Sequence, residues 1–130
     1  MLTGKKIVLG VSGGIAAYKM ANVASMLSKL HADIHVVMTE NATHFITPET
    51  FEVLTGNHCY TDTFDRCMEL HVPHIALGTQ ADAILIAPAS ADVVGKIANG
   101  IADDMLTTCV LPATCPVMLA PSMNVHMYEN

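Results

Sequence analysis

The sequence predicts a three-layer α/β fold, in which an open parallel sheet carries helices on both faces. Short apolar segments alternate with segments of helical periodicity along most of the 130 residues, and this alternation is typical of parallel sheets. Hydrophobic residues make up 52% of the chain and charged residues 14%, a balance that suits strands buried on both faces. A chain of this length forms about one domain, so residues 1–130 are interpreted as one.

The first elements form a strand–helix–strand unit. Lys5–Val11 is apolar and rich in β-branched residues, which predicts a strand. From Gly14 to Leu30 apolar residues recur every three or four positions, which predicts an amphipathic helix. The segment ADIHVVMT, residues 32–39, predicts the next strand. Such a βαβ unit is expected to be right-handed.

The rest of the chain continues this alternation. Thr47-Pro48 begins a helix that Gly56 ends. Residues 57–73 are polar and irregular and receive no assignment. Ala83–Ala87 is apolar throughout, which predicts a strand buried on both faces. Three further elements are predicted: a helix at 91–99 capped by Ser90, a helix at 103–111 with Asp103 and Asp104 at its start, and a strand at 115–121.

Charge and hydropathy exclude several classes of partner. The net charge is −6 without any basic cluster, which argues against nucleic acid. No apolar run approaches the roughly 18 residues that cross a bilayer. Two lysines precede the first apolar segment, as in a signal peptide, but SGGIAAYK follows at once without a convincing cleavage site. A cytoplasmic location is therefore predicted.

The cysteines and histidines do not predict a metal site. The spacing of the four cysteines fits neither a zinc finger nor a disulfide framework, so free thiols are expected. His71 and His74 are three residues apart but flank Pro73, which spoils a shared helical turn. The four cysteines are Cys59, Cys67, Cys109 and Cys115.

Ligands of open parallel sheets bind beyond the carboxyl ends of the strands, and three loops leave strands at that edge. The first loop, Gly10–Lys19, contains Ser12, Gly13 and Gly14. These residues allow a sharp turn whose free N–H groups suit an anion. The loop matches neither G-x-G-x-x-G nor the Walker A sequence, so phosphate binding and a simple strand-to-helix turn both remain open.

The second loop and the histidine before its strand have two interpretations each. In the second loop, Ala87–Val93, Ser90 suits either a ligand or an ordinary helix cap. His74 suits either a structural hydrogen bond or acid–base work at a carboxylate.

The third loop, Pro121–Asn130, carries adaptable side chains. Asn124 has an amide that both donates and accepts hydrogen bonds. Met123 and Met127 are soft groups that suit a flat aromatic ligand or a partner subunit. Packing within the loop explains them equally well.

Four segments taken together resemble the flavin-dependent cysteine decarboxylases. In order they are KKIVLGVSGGIAAYK, MTENATHFITP, HIALGTQADAILIAPASADVVGKIANGIADDMLTT and PSMNVHMY. The resemblance runs from about Lys5 to Tyr128, and the paired motifs P-x-S/T-A-N/D and P-x-M-N-x-x-M are specific for this family. It implies a Rossmann-like or flavodoxin-like domain that binds FMN and assembles as trimers or a dodecamer, with FMN between subunits.

The resemblance also implies a role for each site residue. His74 is the catalytic histidine, and Asn124 holds the substrate carboxylate, with Met127 also at the substrate. Asp92 and Val93 stand where many members have Asn-Thr, and Tyr128 stands where tryptophan is frequent. The implied cofactor-binding residues are Ser12, Gly13, Gly14, Ile15, Thr39, Asn41, Ser90, Ala91, Asp92, Val93 and Ser122.

The implied reaction is oxidative decarboxylation of 4′-phosphopantothenoylcysteine to 4′-phosphopantetheine, in coenzyme A biosynthesis. The alternatives are peptidyl-cysteine decarboxylation and a non-catalytic flavin-binding regulatory subunit. The family continues beyond the third loop with a cysteine-containing clamp over the substrate. Residues 1–130 are therefore expected to be a flavin-binding decarboxylase domain that lacks the clamp and is poor at full turnover.

Overall fold

A parallel sheet forms the centre of the structure, a computed structural model that describes residues 1–65 and 73–130. Within those residues the sheet has four strands in the order β2-β1-β3-β4. Leu9 of the first strand pairs with Val36 on one side and with Leu85 on the other. The predicted open parallel sheet is confirmed. The strands are β1 Lys6–Val11, β2 Asp33–Met38, β3 Ala83–Ala89 and β4 Val117–Pro121.

Helices connect the strands, mostly where the sequence predicts them. Two of them were not predicted, because α3 lacks a clear apolar period and α6 is only one turn within the third loop. Residues 66–72, which include Cys67 and His71, lie outside the described residues. The helices are α1 Lys19–Lys29, α2 Pro48–Thr55, α3 Pro73–Gln80, α4 Ala91–Ala98, α5 Met105–Val110 and α6 Val125–Glu129, with 3-10 turns at Ile15–Tyr18 and Asn41–His44.

Helices cover both faces of the sheet, as the sequence predicts. On one face the fully buried Phe51 of α2 and Ala24 of α1 pack against β1 and β2. On the other face Leu77, Val93 and Leu106, from α3, α4 and α5, pack against β1 and β3. At the edge of the sheet all five residues of β4 are exposed.

Close packing of α3 on α5 gives a first prediction. A Cβ at Gly78 would run into the backbone carbonyl of Cys109, which has no freedom to rotate away. Gly78→Ala is therefore expected to lower the free energy of unfolding by about 1–3 kcal/mol in urea denaturation. Gly95→Ala is the matched control, since no described atom lies within 4 Å of a Cβ there. Gly95→Ala should raise the free energy of unfolding by up to about 1 kcal/mol, because alanine has the higher helix propensity. Equal effects of the two substitutions would contradict the close packing at Gly78.

Candidate functional site

The predicted loops meet beyond the carboxyl ends of the strands, around a cleft of about 470 Å³. This volume lies in the usual range of small-molecule sites, about 300–1,000 Å³. Many of the predicted cofactor residues line the cleft, namely Gly13, Thr39, Asn41, Ser90, Ala91, Asp92 and Val93, and so does Met127 from the predicted substrate set.

Ser12 connects the first loop to the second. Its side chain is fully buried, and its hydroxyl donates a hydrogen bond to the carbonyl oxygen of Pro88. The same hydroxyl accepts a hydrogen bond from the N–H of Ser90 at 2.8 Å, and the Ser12 N–H donates to the Pro88 oxygen at 3.3 Å. The two loops are thereby held at a fixed separation.

The two glycines after Ser12 have different surroundings. A Cβ at Gly13 would lie 2.5 Å from the Cβ of Asn41 and 3.1 Å from its carbonyl carbon. At Gly14 the nearest described atom is the Pro88 Cγ, at 4.0 Å. Protein packing therefore requires glycine at position 13, whereas position 14 leaves the backbone open to a ligand. Ile15, the next residue, is 81% exposed.

The loop after β2 forms the facing wall of the cleft. Thr39 is buried, and its Oγ1 accepts a hydrogen bond from the N–H of Ala42 at 3.2 Å. The same N–H also donates to the backbone oxygen of Thr39 at 3.1 Å, and the 3-10 turn Asn41–His44 follows. A short local turn therefore places Asn41 in the wall of the cleft.

The second loop leads into α4 as the sequence predicts. Ser90 caps the helix, because its Oγ accepts a hydrogen bond from the N–H of Val93 at 3.3 Å. Ala91 and Asp92 belong to the first turn of the same helix. The cap therefore presents the whole segment 90–93 to the cleft.

Charged side chains that the sequence analysis did not single out as ligand-binding also line the cleft. Lys96 Nζ lies 3.3 Å from the Asp92 carboxylate and 3.2 Å from that of Asp103. The hydrogen bond that Lys96 donates to Asp103, and after it the one that it donates to Asp92, raises the pKa of Lys96. Among the described lining residues Lys96 is the one Lys or Arg, beside four carboxylates, those of Glu40, Asp92, Asp103 and Asp104. The i,i+4 spacing of Asp92 and Lys96 was the available sequence signal.

Asn124 in the third loop caps α6. Its Oδ1 accepts a hydrogen bond from the N–H of Met127 at 2.9 Å, so the amide NH₂ group keeps its donors for another acceptor. Ser122 fixes the same loop to the sheet, because its N–H donates to the Ala89 carbonyl at 3.0 Å. Neither Asn124 nor Ser122 is among the described residues that line the cleft.

An apolar groove of about 640 Å³ adjoins the cleft. Ala91 and Met127 line both spaces. Met123 and Tyr128 line the groove but not the cleft. The soft side chains of the third loop thus form an apolar extension of a polar cleft.

His74 does not line this cleft. It lies in the first turn of α3, and it is not among the described lining residues. Its Nδ1 is buried and makes no hydrogen bond to any residue of the described ranges. A single chain therefore brings seven of the eleven predicted cofactor residues to one cleft, and His74 does not line it.

Three of the four cysteines lie in the described residues. Cys59, Cys109 and Cys115 are free thiols. Burial, first among the causes, raises the pKa of Cys59 and of Cys109 to about 12, so both stay protonated. In residues 1–65 and 73–130 no group of three His, Cys, Asp or Glu side chains is arranged to hold a metal ion. No described helix is long and apolar enough to cross a membrane.

A parallel sheet whose carboxyl-edge loops enclose a polar cleft defines a flavodoxin-like α/β domain. The chain belongs to the flavoprotein family, whose model matches residues 1–130. It is 50% identical over 130 residues to the coenzyme A biosynthesis bifunctional protein CoaBC of Bacillus subtilis, a match that covers 100% of this chain and 32% of that protein. The chain thus spans about a third of the length of this curated relative.

Two solved structures are similar over nearly the whole chain. The FMN-dependent cysteine decarboxylase SpaF has a TM-score of 0.91 and 36% identity, covering 100% of this chain and 75% of that one. A PPC decarboxylase mutant complexed with pantothenoylaminoethenethiol has a TM-score of 0.81 and 31% identity, covering 97% and 71%. Both likenesses agree with the parallel sheet and its loops.

Proposed function

We propose that residues 1–130 are the flavin-binding decarboxylase domain of an FMN-dependent enzyme of coenzyme A biosynthesis. The substrate is 4′-phosphopantothenoylcysteine and the product of the complete reaction is 4′-phosphopantetheine. The observation that carries the proposal is that residues from separate loops, which the sequence motifs connect with FMN, line one cleft. The 50% identity to CoaBC and the likeness to a PPC decarboxylase support the choice of substrate.

The residues of the cleft fit FMN. The open backbone at Gly14 admits a phosphate to the N–H groups of the turn. Thr39, Asn41 and Ser90 supply hydroxyl and amide groups for the ribityl chain and the polar ring edge. The groove beside Met127 supplies an apolar wall for a flat ring. FMN supplies the redox chemistry of the reaction when it is bound.

The protein's own contribution is to bind and orient the substrate. The NH₂ group of Asn124 is free to donate to the substrate carboxylate, because the helix cap already uses Oδ1. His74 is assigned to proton transfer near that carboxylate. Holding the carboxylate fixes the bond to be broken relative to the cofactor.

We also propose that the enzyme is a homo-oligomer, either a trimer or a dodecamer made of four trimers, with FMN between subunits. The absence of His74 from the lining of its own chain's cleft supports this arrangement. So do the exposed apolar side chains of Ile15, Tyr18 and Tyr128 and the exposed strand β4. Light scattering on the purified protein tests it, and a monomer that retains FMN would count against it.

The positive charge of Lys96 is predicted to favour binding of the negatively charged FMN phosphate. Without Lys96 the Asp92 and Asp103 carboxylates would be uncompensated in the same cleft as the phosphate, which carries about two negative charges. Lys96→Met is expected to weaken FMN binding about fivefold at low salt and riboflavin binding less. Fluorescence titration with both flavins at two salt concentrations measures the difference. Lys96→Arg keeps the charge as a control, and an equal loss for both flavins would contradict the electrostatic role.

A second candidate substrate class is peptidyl-cysteine, which the name of one similar solved structure, the peptidyl-cysteine decarboxylase EpiD, indicates for that protein. The two classes are separated by one assay of the purified protein with FMN, 4′-phosphopantothenoylcysteine and a peptide with a C-terminal cysteine. Carbon dioxide release and product masses are the readout. Decarboxylation of the phosphopantothenoyl substrate is the expected result, and exclusive use of the peptide would overturn the assignment to coenzyme A biosynthesis.

A further inference from the structure

The hydroxyl of Ser12 is fully committed as a donor inside the protein. A serine hydroxyl has one hydrogen to donate, and that of Ser12 goes to the Pro88 carbonyl oxygen. The side chain is 0% exposed. An anionic phosphate needs donors, so the Ser12 hydroxyl would have to break its bond to Pro88 in order to bind one.

The atoms joined by Ser12 belong to two walls of the cleft. Its oxygen accepts from the N–H of Ser90 at 2.8 Å, and Ser90 in turn caps the first turn of α4 through Val93. Gly13, next to Ser12, packs directly on Asn41 of the opposite wall. The position of Ser12 therefore sets the spacing between the glycine turn and the start of α4.

We propose that Ser12 is a positioning residue of the cofactor site and makes no contact with the flavin phosphate. The inference rests on the proposed function, because it takes the cleft to be the FMN site. Removing the hydroxyl leaves the partly buried Ser90 N–H without its acceptor and weakens the connection to Pro88. The second loop would then shift relative to the first, and every part of the ligand that lies between them would be affected.

Two flavins distinguish positioning from direct contact. Riboflavin lacks the phosphate, so loss of a phosphate contact would weaken FMN binding alone. Loss of loop spacing would weaken both flavins. Ser12→Ala is expected to reduce the affinity for FMN and for riboflavin by the same factor, about tenfold, in fluorescence titrations of the purified protein.

Ser28→Ala is the matched control. Ser28 Oγ also donates to a backbone carbonyl of another helix, that of Leu54 at 3.1 Å, and it is partly buried outside the cleft-lining set. This change should lower the melting temperature without changing the affinity for either flavin. Ser12→Thr keeps the hydroxyl and should restore binding of both flavins. Should Ser12→Ala fail to fold, Ser12→Cys retains the volume with a weak donor and should again weaken both flavins equally.

The possible results distinguish the role of Ser12 from the proposed function on which it rests. A loss for FMN alone would overturn the positioning role in favour of a phosphate contact. A drop in melting temperature with both affinities unchanged, as in Ser28→Ala, would reduce Ser12 to a purely structural residue. Wild-type protein that binds neither flavin would overturn the proposed function itself, together with the inference that depends on it.

Discussion

Asn124→Asp is expected to reduce decarboxylation by about 1,000-fold or more while FMN binding is retained. Aspartate also accepts the N–H of Met127, because it is an equally good helix cap. The substitution replaces the free NH₂ donor by a second negatively charged oxygen. That oxygen would repel the substrate carboxylate that Asn124 is proposed to bind. The measurement is carbon dioxide release from 4′-phosphopantothenoylcysteine, with FMN affinity determined on the same preparation.

Asn124→Ser distinguishes the effect of the added negative charge from the effect of losing the amide NH₂ donor. A serine oxygen keeps the cap but brings no negative charge, so a smaller loss is expected, about 100-fold. A rate within tenfold of wild type for Asn124→Asp would mean that the amide does not hold the carboxylate. In that case Asn124 would be only the cap of α6.

Gly13→Ala is expected to abolish FMN binding, with a loss of affinity of at least about 100-fold. The new Cβ would lie 2.5 Å from the Asn41 Cβ and 3.1 Å from its carbonyl carbon. Backbone atoms cannot rotate away, so the wall that carries Asn41 must move. A titration with FMN, read by fluorescence, gives the affinity.

Gly14→Ala is the companion to this variant. Gly14 has φ −177°, an extended conformation that alanine also adopts, and its Cβ would meet only the Pro88 Cγ at 4.0 Å. The melting temperature should therefore remain unchanged. The FMN affinity should fall about tenfold, since the methyl group occupies space that the ligand needs. Wild-type affinity in Gly13→Ala would contradict the cleft as the site of FMN.

Local sequence signals are sufficient to predict the strands and the starts of most helices. The apolar segment 83–87 specifies β3, since a strand buried on both faces has no polar positions. The caps at Ser90 and Asp104 depend on neighbours within three residues, and Gly56 adopts the left-handed conformation that ends α2. Such features are predictable because sequence neighbours supply all the atoms involved.

Features that depend on long-range contacts were not predictable in the same way. The pairing of Lys96 with Asp103 needs the loop before α5 to fold back on α4. The hydrogen bonds of Ser12 to Pro88 and Ser90 join residues more than 70 positions apart. The sequence motif of the first loop, taken alone, connects Ser12 with phosphate binding instead. The helix α3 is stabilised by its packing on α5 rather than by a strong period of its own.

The visible spectrum of the purified protein shows whether this cleft holds FMN. Mass spectrometry of the chromophore released by heat identifies the ligand. We expect flavin absorption bands in the protein as purified, and the mass of FMN for the released chromophore. If the purified protein is colourless, the same bands should appear after FMN is added. A folded, colourless protein that FMN cannot reconstitute would contradict FMN binding in this cleft.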